Sequence, residues 1–125
     1  MANYLSGNSI IEQKTFAFAT RILDLYHYLI KEKKEFIISK QVFRSGTSIG
    51  ANVCEAEEGE SRADFKHKLK VALKETTETV YWLRLLHHGE YISQKEFDSL
   101  FDDANEIRRI LIAIIKTLGK DGETS

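Results

Sequence analysis

The sequence predicts an all-α protein, an antiparallel up-down-up-down four-helix bundle that forms one domain over residues 1–125. Three observations predict this fold. Proline is absent, so the strongest helix breaker is missing from the chain. Apolar residues recur at alternating spacings of four and three, the period of one helix face, in four segments. The breaks between these segments are short, which favours antiparallel neighbours.

The first helix is predicted over about residues 10–33 and the second over about 39–58. The apolar face of the first consists of Phe18, Ile22, Leu25 and Leu29. The apolar face of the second consists of Val42, Gly46, Ile49, Val53 and Ala56. Ser9 and Glu12 can form a capping box for the first helix, and Gly59 can end the second.

The third helix, about 61–88, has the strongest pattern, and the fourth is predicted over about 93–118. The apolar face of the third consists of Phe65, Leu69, Ala72, Thr76, Thr79, Leu83 and Leu86. That of the fourth consists of Phe97, Leu100, Ala104, Ile107, Leu111, Ile114 and Leu118. Ser93 and Glu96 can form a capping box, and Gly89 and Gly119 can end these two helices.

The composition is that of an ordinary globular protein, with 42% apolar residues, 30% charged residues and a formal charge of −1. Whole-chain charge therefore gives no argument for nucleic-acid binding. The single cysteine, Cys54, excludes an intramolecular disulfide and favours a reducing compartment. Met1–Gln13 does not have the pattern of a secretion signal, and the longest apolar run, Ile110–Ile115, is far too short to cross a bilayer. We therefore expect a soluble, cytoplasmic protein that does not associate with membranes.

The second helix is unusual because two glycines and several hydroxyl residues, which disfavour a helix, lie within its apolar period. Two interpretations remain open. In one, a strip of small residues lets another helix approach closely, within the bundle or across a subunit contact. In the other, polar residues of this segment form a ligand surface on which Arg44 holds a phosphate. The residues concerned include Ser45, Gly46, Thr47, Ser48, Gly50 and Asn52.

The chain resembles a known family along its second and third helices. The motifs that carry the resemblance are Phe43-Arg44-Ser45-Gly46-Thr47-Ser48-Ile49-Gly50-Ala51-Asn52-Val53-Cys54-Glu55-Ala56, Phe65-x-x-Lys68-Leu69, Ala72-Leu73-Lys74-Glu75 and Glu78-Thr79-x-Tyr81-Trp82-Leu83. They are similar to those of the bacterial four-helix-bundle proteins encoded within intervening sequences of 23S ribosomal RNA genes, often labelled S23 proteins. The resemblance implies a homopentamer and kinship with the accessory protein of diversity-generating retroelements, which partners a reverse transcriptase and binds nucleic acid. That protein is strongly basic, whereas this chain is near neutral.

Positive charge is concentrated locally. Between Lys31 and Gly50 there are five basic and two acidic residues, and between Glu60 and Lys74 the counts are the same. A ring of several copies would repeat these segments around its axis and raise the local potential. The candidate nucleic-acid ligands are Lys40, Arg44, Lys66, Lys68, Lys70 and Lys74. The alternative is that the lysines of the third helix are simply solvated positions of an amphipathic helix.

Some apolar bulk on the third helix lies off its main seam. Tyr81, Trp82 and Leu85 point at least partly away from the core positions. Large aromatic residues outside the core often mark interfaces, so we expect self-association, with a broader core as the alternative.

No constellation of residues indicates catalysis, a metal or a small-molecule substrate. Asp24 with His27, and Asp64 with His67, have the spacing of bundle metal ligands, but each pair falls on the outer face of its helix. Cys54 has no basic neighbour in sequence and is expected to be a packed thiol rather than a nucleophile. We therefore predict a protein that is not an enzyme and requires no cofactor.

Together with the family resemblance, which implies a pentamer, these features predict a homo-oligomeric bundle that acts as an accessory or scaffold for RNA or an RNA-processing partner. The alternative is a protein-binding adaptor with no direct nucleic-acid contact.

Overall fold

The computed structural model describes residues 9–119, and these form four α-helices and no strand. The helices are α1 (Ile10–Lys31), α2 (Ile38–Glu57), α3 (Arg62–His88) and α4 (Gln94–Leu118). The all-α prediction is confirmed. The observed helices begin and end within two residues of the predicted bounds, the largest difference being that α1 ends at Lys31.

Contacts on the α2 side of the bundle show how the first three helices run. Thr15 near the start of α1 lies against Gly50, late in α2, and the centroids of the tilted Tyr26 and Phe43 rings are 4.8 Å apart. As the residue number rises on α1 it therefore falls on α2. Between α2 and α3, Glu55 pairs with Lys68 at the start of α3. Consecutive helices here are antiparallel, so α1 and α3 run in the same direction.

The fourth helix closes the bundle by lying between α3 and α1. The His87 ring at the end of α3 stacks on Phe97 at the start of α4, with 5.1 Å between centroids. On the other side, two ion pairs join α1 to α4, Lys14 with Glu106 at 3.1 Å and Arg21 with Asp103 at 2.7 Å. The side chains of both ion pairs are well exposed. The pairs therefore help to align α1 with α4 but contribute little to stability.

The core lies along the four predicted seams. All seven predicted positions of α3 are buried, as are the four of α1 and the five of α2. On α4, five of the seven are buried, while Phe97 and Ile114 are half-buried against the same core. The hydroxyls of Thr76 and Thr79 do not disturb this core because each donates to a carbonyl four residues earlier in its own helix.

Both of the predicted N-terminal caps form, in different ways. Ser93 and Glu96 make the reciprocal capping box at the start of α4, as predicted. At the start of α1, Ser9 Oγ accepts from the Glu12 amide at 3.2 Å, but the hydroxyl donates to Glu12 Oε1 at 3.0 Å. The Glu12 carboxylate therefore accepts a hydrogen bond from the Ser9 hydroxyl, whereas in a reciprocal capping box it would accept from the Ser9 backbone amide.

The N-terminus of α2 is capped by a residue outside the helix. Ile37 occupies the capping position without a side-chain hydrogen bond. The buried carboxylate of Glu35 accepts instead from the backbone amides of Ile37, Ile38 and Ser39, at 3.2, 3.0 and 2.6 Å. One side chain thus satisfies three of the amides that a helix start leaves free.

We expect Glu35→Gln to lower the free energy of unfolding by about 1 kcal/mol, because the amide keeps one acceptor but loses the charge that strengthens these bonds. Chemical denaturation measures the change. The exposed neighbour Glu32 provides the control, since Glu32→Gln removes the same charge without a cap. Equal losses in the two variants would mean that the carboxylate contributes nothing specific.

Candidate nucleic-acid interface

Two of the six basic residues proposed from the sequence are engaged with acids of the same chain. Arg44 bridges Glu75, at 3.4 Å, and Glu78, both on α3. Lys68 pairs with Glu55 of α2 at 2.8 Å. These pairs neutralise positive charge on the α2–α3 surface, so neither side chain reaches solvent as an isolated cation.

The other four basic residues lie in three places, since Lys70 and Lys74 are one turn apart on α3. Lys66 donates to the backbone carbonyl of Gly119, at the end of the bundle where α4 finishes. Lys40 lies at the opposite end, in the first turn of α2. Lys40, Lys70 and Lys74 are exposed, and they form no ion pair with any residue of the described chain from 9 to 119. The structure therefore does not bring the six residues together in one patch.

A different group of lysines surrounds the connection between α1 and α2. Lys31, Lys33, Lys34 and Lys40 are all exposed there. Of the two acids in this segment, Glu32 is exposed, whereas Glu35 is turned inward onto the start of α2. The four lysines are consequently exposed at one end of the molecule, where Glu90 and Glu96 line a cleft together with Lys33.

An aromatic ring lies among these lysines. Phe36, which lies between Lys34 and Lys40 in the sequence, is 53% exposed. Lys33 Nζ lies 5.9 Å from the centre of the Tyr28 ring. We call Lys31, Lys33, Lys34, Phe36 and Lys40 the basic corner. A base can stack on such a ring while lysines contact the phosphates on either side.

Of this group, the sequence analysis counted all four lysines in the basic segment but proposed only Lys40 as a nucleic-acid ligand. The charge excess between Lys31 and Gly50 was the available signal, but it pointed to helix positions such as Arg44. Whether Phe36 is exposed depends on how the chain turns from α1 into α2, which periodicity does not describe.

The small residues of α2 serve the packing of helices inside the bundle. Gly46 is fully enclosed against α1, where a Cβ atom would lie 2.8 Å from Ile22 Cγ1. Ser45 is buried against α3, with its Oγ 2.9 Å from Thr79 Oγ1. At Gly50, a Cβ atom would lie 3.3 Å from the Thr15 side chain.

The polar side chains of α2 are bonded to their own helix. Ser48 Oγ donates to the Arg44 carbonyl at 2.6 Å, and Asn52 Nδ2 donates to the Ser48 carbonyl at 2.8 Å. Thr47 donates in the same way to the Phe43 carbonyl. Because each of these side chains is bonded to a carbonyl of its own helix, while Ser45 and Gly46 are buried against neighbouring helices, the contacts of α2 fit the close-packing interpretation better than a ligand surface.

The off-seam residues of α3 differ in their exposure. Tyr81 is 55% exposed and Leu85 is 37% exposed. Trp82 is half-buried, and its Nε1 donates to Glu78 Oε2 at 2.9 Å. Because Glu78 also binds Arg44, the indole is held between α2 and α3, while Tyr81 projects outward beside it.

A second apolar seam on α1 was missed by the sequence reasoning. Phe16, Ala19, Leu23, Tyr26 and Ile30 follow one another at spacings of three, four, three and four. Phe16 is 72% exposed. Phe16 and Ala19, at the start of this seam, border a groove of about 230 Å³ between α1 and α2. The lining of the groove also includes Ala51 and Cys54. The alternating spacing of four and three between apolar residues was the available signal, but the prediction used it only for the core seam.

Cys54 is exposed in this groove, so the prediction of a packed thiol was wrong. It lies one residue beyond the buried Val53, and the helix turns its side chain outward. We call the groove together with the second seam of α1 the α1–α2 surface.

The side chains proposed from their spacing as metal ligands do not form a metal centre in the part of the chain that the structure describes. Asp24, His27, Asp64 and His67 are all exposed, and residues 9–119 contain no group of three or more potential metal ligands. A cleft of about 430 Å³ beside the turn before α4 includes His87 and Glu96, but Glu96 already accepts from the Ser93 amide in the capping box. Among the helices of the described segment, none combines the length and apolar character needed to cross a membrane.

The fold and these surfaces define a class, that of small four-helix-bundle proteins whose distinctive features are exposed basic and apolar surfaces. The chain belongs to the family of 23S rRNA-intervening sequence proteins, whose model matches residues 7–113. A solved structure from Bacteroides thetaiotaomicron, described as a protein of unknown function from the S23 ribosomal protein family, is 53% identical. It covers 86% of this chain and 96% of its own, with a TM-score of 0.85. No curated protein matches the chain. Neither family description indicates a catalytic activity.

Proposed function

We propose that the protein is a non-enzymatic, cytoplasmic scaffold that forms homo-oligomers and binds RNA through the basic corner. The observation that carries the proposal is the exposed Phe36 ring set among four exposed lysines. Membership of a family named after an intervening sequence of ribosomal RNA supports RNA as the nucleic acid.

The near-neutral charge of the chain limits how RNA could be held. With a formal charge of −1, the protein has no general attraction for a polyanion, so binding must come from a local site. Single-stranded RNA is the expected form, because its unpaired bases are free to stack on an aromatic side chain.

Oligomerisation would strengthen such binding. The family resemblance implies a pentamer, and rotation about an axis parallel to the helices would place every basic corner at the same end of the ring. Several weak sites on one rigid body act together, because each contact raises the effective concentration for the next.

We expect Lys31→Gln combined with Lys40→Gln to weaken RNA binding and to reduce its dependence on salt. Each lost phosphate contact should lower the slope of log affinity against log salt by roughly 0.7 for a single strand, so the double variant should lose about 1.4 for each protomer in contact. Electrophoretic titration of single-stranded RNA across a range of salt concentrations measures this slope. Lys95→Gln with Lys116→Gln, two exposed lysines of α4, removes the same charge away from the corner.

Three outcomes separate the possibilities. A change confined to the corner variant supports the proposal. Equal changes in both variants would show that only total charge matters. Absence of binding by the unmodified protein even at low salt would overturn direct RNA binding, and a protein partner retained after nuclease treatment would then favour the adaptor.

A further inference from the structure

We propose that copies of the chain associate head to tail, with the α1–α2 surface of one copy receiving the outer face of α3 of the next. This inference rests on the homo-oligomer part of the proposed function and names the two surfaces that form the contact. The outer face of α3 is defined here by Lys70, Lys74, Tyr81 and Leu85, all of them exposed.

Both surfaces carry apolar bulk that the bundle leaves uncovered. Phe16 and Tyr81 are the most exposed large hydrophobic side chains of their helices. Leu23 on α1 and Leu85 on α3 add to them. The small side chains of Ala51 and Cys54 leave room beside Phe16 for an incoming group. Tyrosine is among the residues most enriched at protein contacts, because it buries a large area at small entropic cost.

The two surfaces match in height along the bundle. Ser45 lies against Thr79, and the adjacent Gly46 lies against Ile22, so Thr79 is level with the stretch Ile22–Leu23. Tyr81 is two residues further along α3, roughly 3 Å at the rise of an α-helix. Since α1 and α3 run in the same direction, this relation holds along their length.

The order of residues on the two helices also matches. On α1 the order is acid, aromatic and aliphatic, at Glu12, Phe16 and Leu23. On α3 it is base, base and aromatic, at Lys70, Lys74 and Tyr81, with the same intervals of four and seven.

Each resulting pair is chemically complementary. Glu12 would face Lys70, a lysine without an ion pair in the described part of its own chain. Lys74 would lie over the Phe16 ring, which favours a cation on its face. Leu23 would pack against Tyr81. Opposite charges and apolar groups therefore meet in register, as complementary interfaces require.

Matched heights determine the symmetry of the contact. A rotation about an axis parallel to the helices keeps every residue at its own level, so it brings each of these pairs together. A two-fold axis perpendicular to the helices would reverse one surface and separate the pairs. Because the two surfaces differ, every copy uses each of them once, and such contacts close into a ring when the rotation divides a full turn. Neither surface includes the basic corner, which stays open.

Single charges placed on either surface test the proposal. Phe16→Asp and Tyr81→Asp each insert a carboxylate into one half of the contact, and we expect each variant alone to be a monomer by light scattering. Mixed in equal amounts, the two should form a dimer of twice 14.4 kDa, since one intact pair of surfaces remains between them. Ile10→Asp, at an exposed apolar residue outside both surfaces, should leave the oligomer unchanged.

The outcomes distinguish this inference from the function on which it rests. If the unmodified protein is a monomer, both the inference and the homo-oligomer fail. If it is an oligomer and the variants leave its mass unchanged, only the proposed surfaces are wrong. If the mixture remains monomeric while circular dichroism and unfolding midpoints show both variants to be folded, the head-to-tail arrangement is excluded.

Discussion

Gly46→Ala is expected to lower the free energy of unfolding by about 1 to 2 kcal/mol, although alanine is the better helix former. In an open helix the exchange would stabilise by about 1 kcal/mol. Here the new Cβ atom would lie 2.8 Å from Ile22 Cγ1 and 2.9 Å from Cγ2, closer than carbon atoms approach. Ile22 is fully buried and has no free space to enter, so α1 and α2 must separate. Chemical denaturation measures the loss.

Gly50→Ala provides the matched control for this prediction. The same helix and the same exchange are involved, but the contact is at 3.3 Å with the Thr15 side chain, and Gly50 is only half-buried. Its change in stability should therefore be near zero. Ile22→Ala removes both offending atoms, so Gly46→Ala should cost less in that background than in the unmodified protein. Additive effects of the two substitutions would show that the contact with Ile22 is not the cause.

The helices were predictable because their apolar period survives even where propensity fails. On α2 the period passes through Gly46 and Gly50 without interruption, and the structure shows why the glycine at 46 is required. On α3 every residue of the predicted seam is buried. A periodic pattern averages over many residues, so a few unfavourable ones do not obscure it.

Contacts between distant residues were not predictable in the same way. Arg44 was proposed as a phosphate ligand from its own neighbourhood, but its partners Glu75 and Glu78 are 31 and 34 residues away. The Glu35 cap was missed because the carboxylate lies outside the helix that it caps. Likewise, once a core seam had been assigned to α1, the second seam through Phe16 had no partner in the sequence to identify it. The apolar pattern of a sequence indicates which face of a helix is buried, whereas the pairing of side chains from different helices depends on the assembled fold.

Thr79→Val is expected to lower the free energy of unfolding by about 2 kcal/mol, while Ser45→Ala should change it little. Thr79 Oγ1 lies 2.8 Å from the Glu75 carbonyl and 2.9 Å from Ser45 Oγ. The Thr79 hydroxyl is the donor in both contacts, so it shares one proton between the Glu75 carbonyl and the serine oxygen. Ser45 is fully buried, and its own acceptor, the Val42 carbonyl, is 3.5 Å away. Removing the threonine hydroxyl therefore leaves the buried serine oxygen without its donor and with only this long contact, at a cost of roughly 1 to 3 kcal/mol.

The two substitutions are expected to differ in their loss of stability. Thr79 keeps its hydrogen bond to the Glu75 carbonyl when Ser45 is replaced, whereas Ser45 keeps no comparable hydrogen bond when Thr79 is replaced. Combining the substitutions removes the unpaired hydroxyl, so the double variant should be more stable than Thr79→Val alone. Thermal or chemical unfolding of the four proteins gives the coupling energy. Equal losses in the two single variants would contradict this assignment of the donor. They would mean that the serine and threonine depend on each other equally and that the pair contributes mainly through shape.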